Sequence, residues 1–467
     1  MRSLRRQSKC MKGVIVVCIC GCLLIGLRLL GKAHSYLSFT SVDDDKFSAY
    51  DRNKGVRHLK LNPHNILPAF MHRFIPATNI TTTVPDKASL NSDLKIVTKY
   101  PSWLHRSFDT PASHELSYQV HTFYYPWYGN PELDGKYYHW NHPHIPHWNK
   151  NVAKQYPNYT HRPPDDVGSN YYPLLGAYSS NDPEVIDLHM KMMRYAKIGV
   201  VVVSWYPPND ADNEGREPDA VVPYILDAAD KYNLKVALHV EPYKGRNASS
   251  MKQNLKYIIN KYGNHSAFYR TNFKQKRNLP LIYIYDSYLV SAQEWAKILK
   301  SFSIDTVRST ELDAIFIGLL VESGHKDHLV KSGFDGFYTY FATNSFTYGS
   351  TWKSWPEFKE FSIKMGLMFI PSVGPGYIDT EIRPWNSINT RKRLEGRYYD
   401  ESFKNAISVK PNIISITSFN EWHEGTQIEP AEKKIISSRK YMDYGKKGPN
   451  HYLDLTRQWV DNWVNKN

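Results

Sequence analysis

The part of this chain that follows Ser117 alternates strictly between short hydrophobic runs and amphipathic segments. Few folds have this order of elements. The hydrophobic runs are rich in Val, Ile, Tyr and Phe. Eight of them occupy residues 120–125, 200–205, 235–240, 281–285, 314–321, 336–341, 367–373 and 412–417. Several runs are apolar on both faces, which is typical of parallel strands covered by helices and not of antiparallel strands with one wet face.

Segments with helical spacing lie between these runs. The sequence Asn181-Asp-Pro-Glu184 places capping residues ahead of Pro183 and marks the start of one helix. The predicted helices cover residues 181–194, 219–231, 250–262, 291–301, 326–332, 355–365, 396–408 and 451–464. Eight strand and helix pairs in alternation predict an α/β chain with a (β/α)8 barrel over residues 116–467. The alternative is a doubly wound open sheet, although no Gly-x-Gly-x-x-Gly follows any of the runs.

An apolar segment near the N-terminus is flanked by basic residues. Residues 13–27 carry no charge, five Lys or Arg residues precede them, and Arg28 and Lys32 follow. Long basic side chains can extend the segment to residue 30, close to the ~20 residues of a membrane span. We therefore predict a cytoplasmic tail at residues 1–12 and a signal-anchor transmembrane helix at 13–30, with the remaining chain in the lumen. The alternative is a cleaved signal peptide with a poor site at residues 33–35.

Residues 31–115 are polar, contain scattered prolines and lack sustained periodicity, which predicts a flexible lumenal stem. All four cysteines lie within the first 22 residues, so the barrel has neither a disulfide framework nor a cysteine metal site. Candidate glycosylation sites are the Asn-X-Ser/Thr triplets at Asn79, Asn158, Asn247 and Asn264.

The net charge of +14 is concentrated at the N-terminal end, because residues 1–60 hold twelve Lys or Arg against four Asp or Glu. That distribution favours a segment beside a membrane over a nucleic-acid surface. No RNA-recognition signature or Cys/His finger is found in the sequence, so we expect no nucleic-acid partner.

Polar and aromatic residues follow the predicted strands, where the loops of a (β/α)8 barrel form the active site. Glu421 and Glu424 come after the eighth strand and lie three residues apart. If residues 420–425 make a helical turn, the two Cβ atoms are ~5–6 Å apart, and repulsion raises one pKa toward neutrality. Cleavage of a glycosidic bond needs such a proton donor and a second carboxylate as nucleophile or base. The alternative is a solvated pair of acids on a surface turn.

Other residues at the strand ends are candidates for binding a sugar. Aromatic rings suit the apolar faces of sugars, and the planar guanidinium of Arg383 can orient a carboxylate or hydroxyl groups. A structural ion pair or a place in the core is the alternative for these residues. The candidate substrate-binding residues are Tyr125, Trp127, Trp205, Tyr206, Glu241, Tyr340, Arg383, Asn420 and Trp422.

The loop at residues 137–148 contains four histidines, which raises the possibility of a metal site; they are His139, His142, His144 and His147. Its prolines and tryptophans suit a rigid sugar-binding lid equally well, and no His-Glu-x-x-His helix accompanies it. We expect no metal and no cofactor. A polar loop at residues 210–217 is a candidate gate beside Tyr206.

Several long motifs occur in order along the predicted barrel. They are Phe123-Tyr-Tyr-Pro-Trp-Tyr-Gly-Asn130, Ser204-Trp-Tyr-Pro-Pro208, His239-Val-Glu-Pro-Tyr243, Pro371-Ser-Val-Gly-Pro-Gly-Tyr377 and Phe419-Asn-Glu-Trp-His-Glu-Gly-Thr-Gln-Ile-Glu429. Together they resemble the Golgi endo-α-1,2-mannosidases of glycoside hydrolase family 99 and their endomannosidase-like relatives. The resemblance spans nearly all of residues 118–467, and the stem carries little of it.

The resemblance implies a metal-independent retaining endo-glycosidase that cuts glucosylated high-mannose N-glycans and releases glucosyl-mannose. It implies that Glu421 acts as a base on the mannose 2-hydroxyl to give a 1,2-anhydro sugar. Glu424 is then the general acid and afterwards the base for water. Tyr206 is implied to line a pocket for glucose, and the residues implied to hold the mannose are Tyr340, Arg383 and Asn420.

The expected partners are the glycan substrate and the Golgi membrane, which the N-terminal anchor would contact, and we expect a monomer. One alternative is a lumenal, lectin-like relative that binds the glycan without cutting it. Another is a different barrel enzyme, such as an exo-mannosidase or a glycosyltransferase.

Overall fold

The computed structural model describes residues 99–111 and 113–464. Its eight main strands are parallel and follow one another around a ring, which confirms the predicted (β/α)8 barrel. Their bounds are β1 Ser117–Tyr124, β2 Ile198–Trp205, β3 Lys235–Val240, β4 Lys276–Ile284, β5 Ile315–Leu319, β6 Gly336–Tyr338, β7 in two pieces at Met368–Ile370 and Ser372–Val373, and β8 Ile414–Ile416.

A helix follows each strand and covers the outside of the barrel. The bounds are α1 Pro183–Tyr195, α2 Val222–Lys231, α3 Ala248–Tyr262, α4 Ala292–Leu299, α5 His325–Ser332, α6 Trp355–Met365, α7 Arg397–Ser408 and α8 His451–Val464. The predicted cap is present in α1, where the Asp182 side chain accepts the Glu184 N–H and Pro183 occupies the first turn.

The ring closes at β7, which Pro371 divides into two pieces. The first piece pairs with β6 and the second with β8, and β8 in turn pairs with β1. Side chains supply bonds near this interruption: the Ser372 N–H donates to Thr339 Oγ1, and Ser372 Oγ accepts the Tyr340 N–H at 2.7 Å. A proline has no N–H for a strand ladder, which explains the break.

The interior of the barrel is filled by aromatic and polar side chains. Phe123 packs against the rings of His239, Tyr283, Tyr338 and Tyr340 at centroid distances of 4.8 to 5.6 Å. The His239 imidazole shares a 2.6 Å hydrogen bond with the Tyr338 hydroxyl. The lumen is therefore a packed core, as is usual for this fold, and a ligand has to bind at its mouth.

Some elements depart from the predicted bounds. β6 ends at Tyr338 and not at residue 341, because Tyr340 takes a φ of +51°, which a strand does not allow. Additional short elements lie outside the ring, among them the antiparallel pair Tyr172–Pro173 and Ala431–Glu432. A further strand, Arg270–Phe273, pairs antiparallel with β4.

The last part of the predicted stem is folded, which corrects the expectation of a flexible segment up to residue 115. A short helix, Ser102–Ser107, buries Leu104, and Phe108 is fully buried against Tyr195 of α1. The Lys99 and Tyr100 N–H groups donate to the Glu184 carboxylate. Tyr100, Leu104 and Phe108 belong to the hydrophobic core of the barrel. The folded unit therefore includes residue 99.

The predicted tail at 1–12, the anchor at 13–30, the stem up to residue 98 and the sequon at Asn79 lie outside the described residues. Within 99–111 and 113–464, no helix is both long and apolar enough for a membrane crossing. The other three sequon asparagines are exposed, and the Asn247 side chain caps the start of α3.

Candidate active site

The turn that follows β8 carries both candidate catalytic acids. The Ser418 hydroxyl accepts the Glu421 N–H at 2.8 Å, and the Gly425 N–H closes the turn on the Trp422 carbonyl at 3.1 Å. The segment is a hydrogen-bonded turn and not the helical turn considered above. Gly425 has a φ of +59°, and a Cβ there would lie 2.7 Å from the Ile378 side chain and carbonyl, so this position favours glycine.

Glu421 is buried beneath the mouth of the barrel. Its Oε1 atom accepts the His423 N–H at 3.0 Å and the Glu424 N–H at 3.3 Å. Burial, and next the charge of Glu424, raise the pKa of the Glu421 carboxyl well above its usual range. The two backbone donors act in the opposite direction, because they stabilise the charged form.

Glu424 lies closer to solvent, with 24% of its side chain exposed. Its Oε1 atom is 3.7 Å from Nη1 of Arg383. Burial is the largest influence and raises the pKa of Glu424 to about 7; Asp379 adds to this rise, while Arg383 and Tyr377 oppose it. The expected rise of one pKa toward neutrality therefore occurs, although burial contributes more than repulsion between the pair.

This pKa implies that stability depends on pH. At low pH Glu424 is protonated in both the folded and the unfolded chain. As the pH rises toward about 7 and above, the folded chain must ionise a carboxyl that it disfavours. We expect Glu424→Gln to be more stable than the parent protein by about 1–3 kcal/mol at pH 8, with the gain nearly lost at pH 4.5. Urea unfolding at both pH values measures this, and a gain of equal size at both would contradict it.

Asn420 joins the turn to the end of β1. Its Oδ1 atom accepts the Tyr125 N–H at 2.8 Å, and its Nδ2 atom donates to the Tyr125 carbonyl at 2.9 Å. The Tyr125 hydroxyl forms a short hydrogen bond with the Tyr340 hydroxyl. The left-handed backbone of Tyr340 costs roughly 1–2 kcal/mol and lets its ring lie between His239 and Tyr285. The structure therefore brings Asn420, Tyr125 and Tyr340 together beside the acids.

Glu241 and Tyr206 line the side of the mouth formed by β2 and β3. Glu241 Oε1 accepts the Ser204 hydroxyl at 2.8 Å and is 3.2 Å from His239 Nδ1. Tyr206 is half-buried, and burial, followed by the charge of Glu241, raises its pKa well above the usual range. The phenol is therefore neutral and can donate a hydrogen bond to a ligand.

Trp127 adds an aromatic surface at the same rim. Its half-buried indole stacks on His139 at 4.6 Å between centroids and packs against Tyr125 at the same distance. His139 Nε2 in turn is 2.8 Å from the carboxyl group of Asp212. Asp212 belongs to the loop at residues 210–217, the predicted gate. Arg216 of this loop pairs with Asp134 at 2.9 Å, so one hydrogen bond and one ion pair join the loop to residues 134 and 139.

The structure does not bring two candidate binding residues to the open mouth. Trp205 is fully buried, and its Nε1 atom donates to Asp219 at 2.7 Å. Trp422 is also fully buried, and its Nε1 atom donates to Glu429 at 2.9 Å. Both rings belong to the hydrophobic core, which is a correction to their expected contact with a sugar.

Sequence reasoning missed two buried residues near the acid turn, one that pairs with Arg383 and one that bonds to the turn. Asp379 is fully buried and accepts a hydrogen bond from Arg383 at 2.9 Å. Arg393 is also buried and donates to the Gly425 and Gln427 carbonyls at 3.0 and 2.7 Å. The sequence offered a signal for Asp379: it comes two residues after the motif that ends at Tyr377, and an acid so close to a strand end is a candidate site residue.

The four histidines of residues 137–148 do not converge. His139 contacts Asp212, and His142 Nδ1 is 2.6 Å from the Pro143 carbonyl. His144 Nδ1 is 3.2 Å from the Pro157 carbonyl, whereas His147 stacks on Trp148. In the described part of the chain, no group of three or more His, Cys, Asp or Glu side chains has the geometry to hold a metal ion.

A (β/α)8 barrel with a pair of carboxyl groups and aromatic side chains at the C-terminal ends of its strands has the groups that a glycoside hydrolase needs. Residues 115–465 match the family model described as Glycosyl hydrolase family 99. The chain belongs to that family.

Similar proteins share most of this region. The chain is 56% identical over 346 residues to the glycoprotein endo-alpha-1,2-mannosidase of Mus musculus, covering 74% of this chain and 75% of that protein. It is 52% identical over 345 residues to the glycoprotein endo-alpha-1,2-mannosidase-like protein of Homo sapiens, covering 74% and 76%. The solved structure of the GH99 endo-alpha-mannosidase from Bacteroides thetaiotaomicron aligns with a TM-score of 0.69 and 43% identity over 75% of this chain and 98% of that one.

Proposed function

We propose that this glycoside hydrolase is a retaining endo-α-1,2-mannosidase that cleaves glucosylated high-mannose N-glycans and releases glucosyl-α-1,3-mannose. The observation that carries the proposal is the pair Glu421, which is buried, and Glu424, which is half-buried, on the turn after β8, where the pKa of Glu424 is raised to about 7. The names of the similar proteins supply the substrate class.

The first half of the reaction forms a 1,2-anhydro sugar. Glu421 takes the proton of the mannose 2-hydroxyl while that oxygen bonds to the anomeric carbon of the same ring. The bond from this carbon to the leaving sugar breaks, and Glu424 donates its proton to the leaving oxygen. An oxygen already attached next to the reacting carbon gains from proximity and replaces a nucleophile from the protein.

The second half restores both acids. Glu424, now a carboxylate, takes a proton from the water that attacks the anomeric carbon. The three-membered ring opens, and Glu421 returns its proton to the 2-oxygen. Two displacements at one carbon retain the anomeric configuration.

The scheme needs one proton on the pair, and this proton has to lie on Glu424 when the sugar is bound. Two carboxyl groups that repel each other in a buried site share a single proton through a range of pH. We assign it to Glu424 in the complex, because Glu421 already accepts two backbone N–H groups, which stabilise its charged form.

The remaining candidate residues take binding roles. Tyr206 lines the part of the pocket for glucose, Arg383 and Tyr340 hold the mannose, and Glu241 accepts hydrogen bonds from hydroxyl groups. The Asn420 amide is bonded to the Tyr125 backbone, so we assign it to orienting Tyr125 beneath the mannose. Trp127 supplies an aromatic surface at the rim.

The cellular setting is part of the proposal. Residues 13–30 would anchor the chain in the Golgi membrane as a single-pass type II protein, and the barrel would act in the lumen as a monomer. Exposed Asn158, Asn247 and Asn264 would be available for glycosylation.

Digestion of a monoglucosylated high-mannose glycan by the full chain tests the function. We expect a glucosyl-mannose disaccharide, initially with the α configuration at its new reducing end. Release of single mannose units would indicate an exo-mannosidase. Binding without any product would indicate a lectin-like relative, and an initial β product would exclude retention.

A further inference from the structure

A third carboxylate, Asp379, lies behind the guanidinium group of Arg383 and takes no part in the bond making proposed above. Arg383 Nη1 is 2.9 Å from Asp379 Oδ2, whereas the same nitrogen is 3.7 Å from Glu424 Oε1. The Arg383 cation therefore lies between the carboxyl groups of Asp379 and Glu424. It is hydrogen-bonded to Asp379, which takes no part in the reaction.

The position of Asp379 is fixed by several donors. Besides Arg383, the Tyr377 hydroxyl donates to Oδ2 at 2.9 Å, and Asn386 Nδ2 donates to the same oxygen at 2.8 Å. The Asp379 carbonyl accepts the Arg383 N–H at 2.7 Å, so Arg383 is held through both its backbone and its side chain. Asp379 is fully buried, which excludes water from these bonds.

We propose that Asp379 is a positioning residue for the general acid, because it holds Arg383 back from Glu424 and so lets Glu424 keep its proton until the glycosidic bond breaks. The inference rests on the role proposed above for Glu424. If Arg383 formed a close ion pair with Glu424 instead, the pKa of that carboxyl would fall by about 1–3 units. The acid would then be ionised, and useless as a proton donor, at neutral pH.

The other groups that face Glu424 do not duplicate this effect. Asp379, Arg383 and Tyr377 face it from the loop after β7, and Glu421 faces it from its own turn. Across the mouth are Tyr285, after β4, and Tyr340, after β6. Burial raises the pKa of both of these phenols well above the usual range, so they stay neutral. Arg383 is the one cation among these six groups, and its position therefore decides how strongly the Glu424 carboxylate is stabilised.

The variant Asp379→Asn tests the inference, with kcat/KM of the full chain on the monoglucosylated glycan measured against pH. Asp379 Oδ1 has no hydrogen-bond partner in the described structure, so an amide nitrogen can occupy its place without breaking a bond. The amide oxygen can still accept the three donors, but the charge that retains Arg383 is gone. We expect the alkaline limb of the profile to shift to lower pH by about one pH unit, with kcat falling far more than KM rises.

Asn386→Ala is the matched control, because it removes one donor to the same Oδ2 atom and leaves the charge of Asp379 in place. We expect its alkaline limb to coincide with that of the parent protein. A limb that stays in place in Asp379→Asn would overturn the proposal. An equal shift in both variants would also overturn it, because the cause would then be the shape of the loop.

A second variant keeps the test decisive if Asp379→Asn fails to fold, which thermal unfolding would reveal. In Arg383→Gln the cation is lost, and we expect the alkaline limb to lie at higher pH than that of the parent protein, whatever the loss in affinity. An unchanged or lowered limb would overturn the proposal. If the parent protein itself does not cleave the glycan, the proposed function fails, and this result is distinct from any effect of Asp379.

Discussion

Replacing Glu424 by Gln is expected to lower kcat/KM for the glycan by about 10²–10⁴-fold and to leave the fold intact. The amide has nearly the shape of the carboxyl group, but it has no proton to give to the leaving oxygen. Steady-state kinetics on the monoglucosylated glycan measure the loss. The control is Glu432→Gln, the same change in the short strand Ala431–Glu432, where we expect parent-like turnover.

The two acids can be told apart by the leaving group. An aryl glycoside with a very acidic phenol needs little help from a proton donor, so Glu424→Gln should recover much of its rate on that substrate. Glu421→Gln should stay slow on both substrates, because the 2-hydroxyl still needs a base. Unchanged turnover in Glu424→Gln, or recovery only in Glu421→Gln, would contradict the assigned roles.

The variant Arg393→Leu is expected to lose about 2–5 kcal/mol of unfolding free energy. The buried guanidinium lies over the rings of Tyr171, Tyr444 and Tyr452 at 4.6, 4.9 and 4.4 Å. It also donates to two carbonyls of the acid turn, those of Gly425 and Gln427. A leucine leaves both carbonyls without this donor and removes three cation–π contacts.

Urea unfolding at neutral pH measures this loss. The control is Arg397→Leu, the same change at an exposed position of α7, where an effect below about 0.5 kcal/mol is expected. Similar losses in the two variants would show that the buried contacts of Arg393 contribute little. Because Arg393 holds the turn that carries Glu421 and Glu424, its loss should lower activity as well.

The fold was largely predictable, because a strand that is buried on both faces consists almost entirely of apolar residues. The β2 run is apolar on both faces since one face meets the lumen and the other meets helices, and all eight of its residues are buried. Helix α6 matches its predicted bounds, residues 355–365, because Pro356 lies in its first turn and Gly366 follows its end in a left-handed conformation. The early end of β6 was not predictable, since the unusual backbone of Tyr340 is imposed by its surroundings.

The site was predictable only in part. The acid pair could be identified because both members lie in one short segment. By contrast, the approach of Arg383, which Asp379 holds, to Glu424 and the bonds from Arg393 to the turn join residues far apart in the chain. The placement of Trp205 follows from strand geometry: its neighbour Ser204 points into the lumen toward Glu241, so the next residue points outward to the helices. Counting aromatic residues at strand ends does not distinguish these two directions.

The folded segment ahead of β1 has a practical consequence for producing the enzyme without its N-terminal region. A version that starts at residue 116, where the barrel motifs begin, would omit the buried Leu104 and Phe108 and uncover Tyr195 of α1, against which Phe108 packs. Burial of one such side chain is worth about 1.5–3 kcal/mol, so the loss would promote aggregation or poor secretion. Truncation upstream of Lys99 avoids the problem, since it retains the bonds from that segment to Glu184.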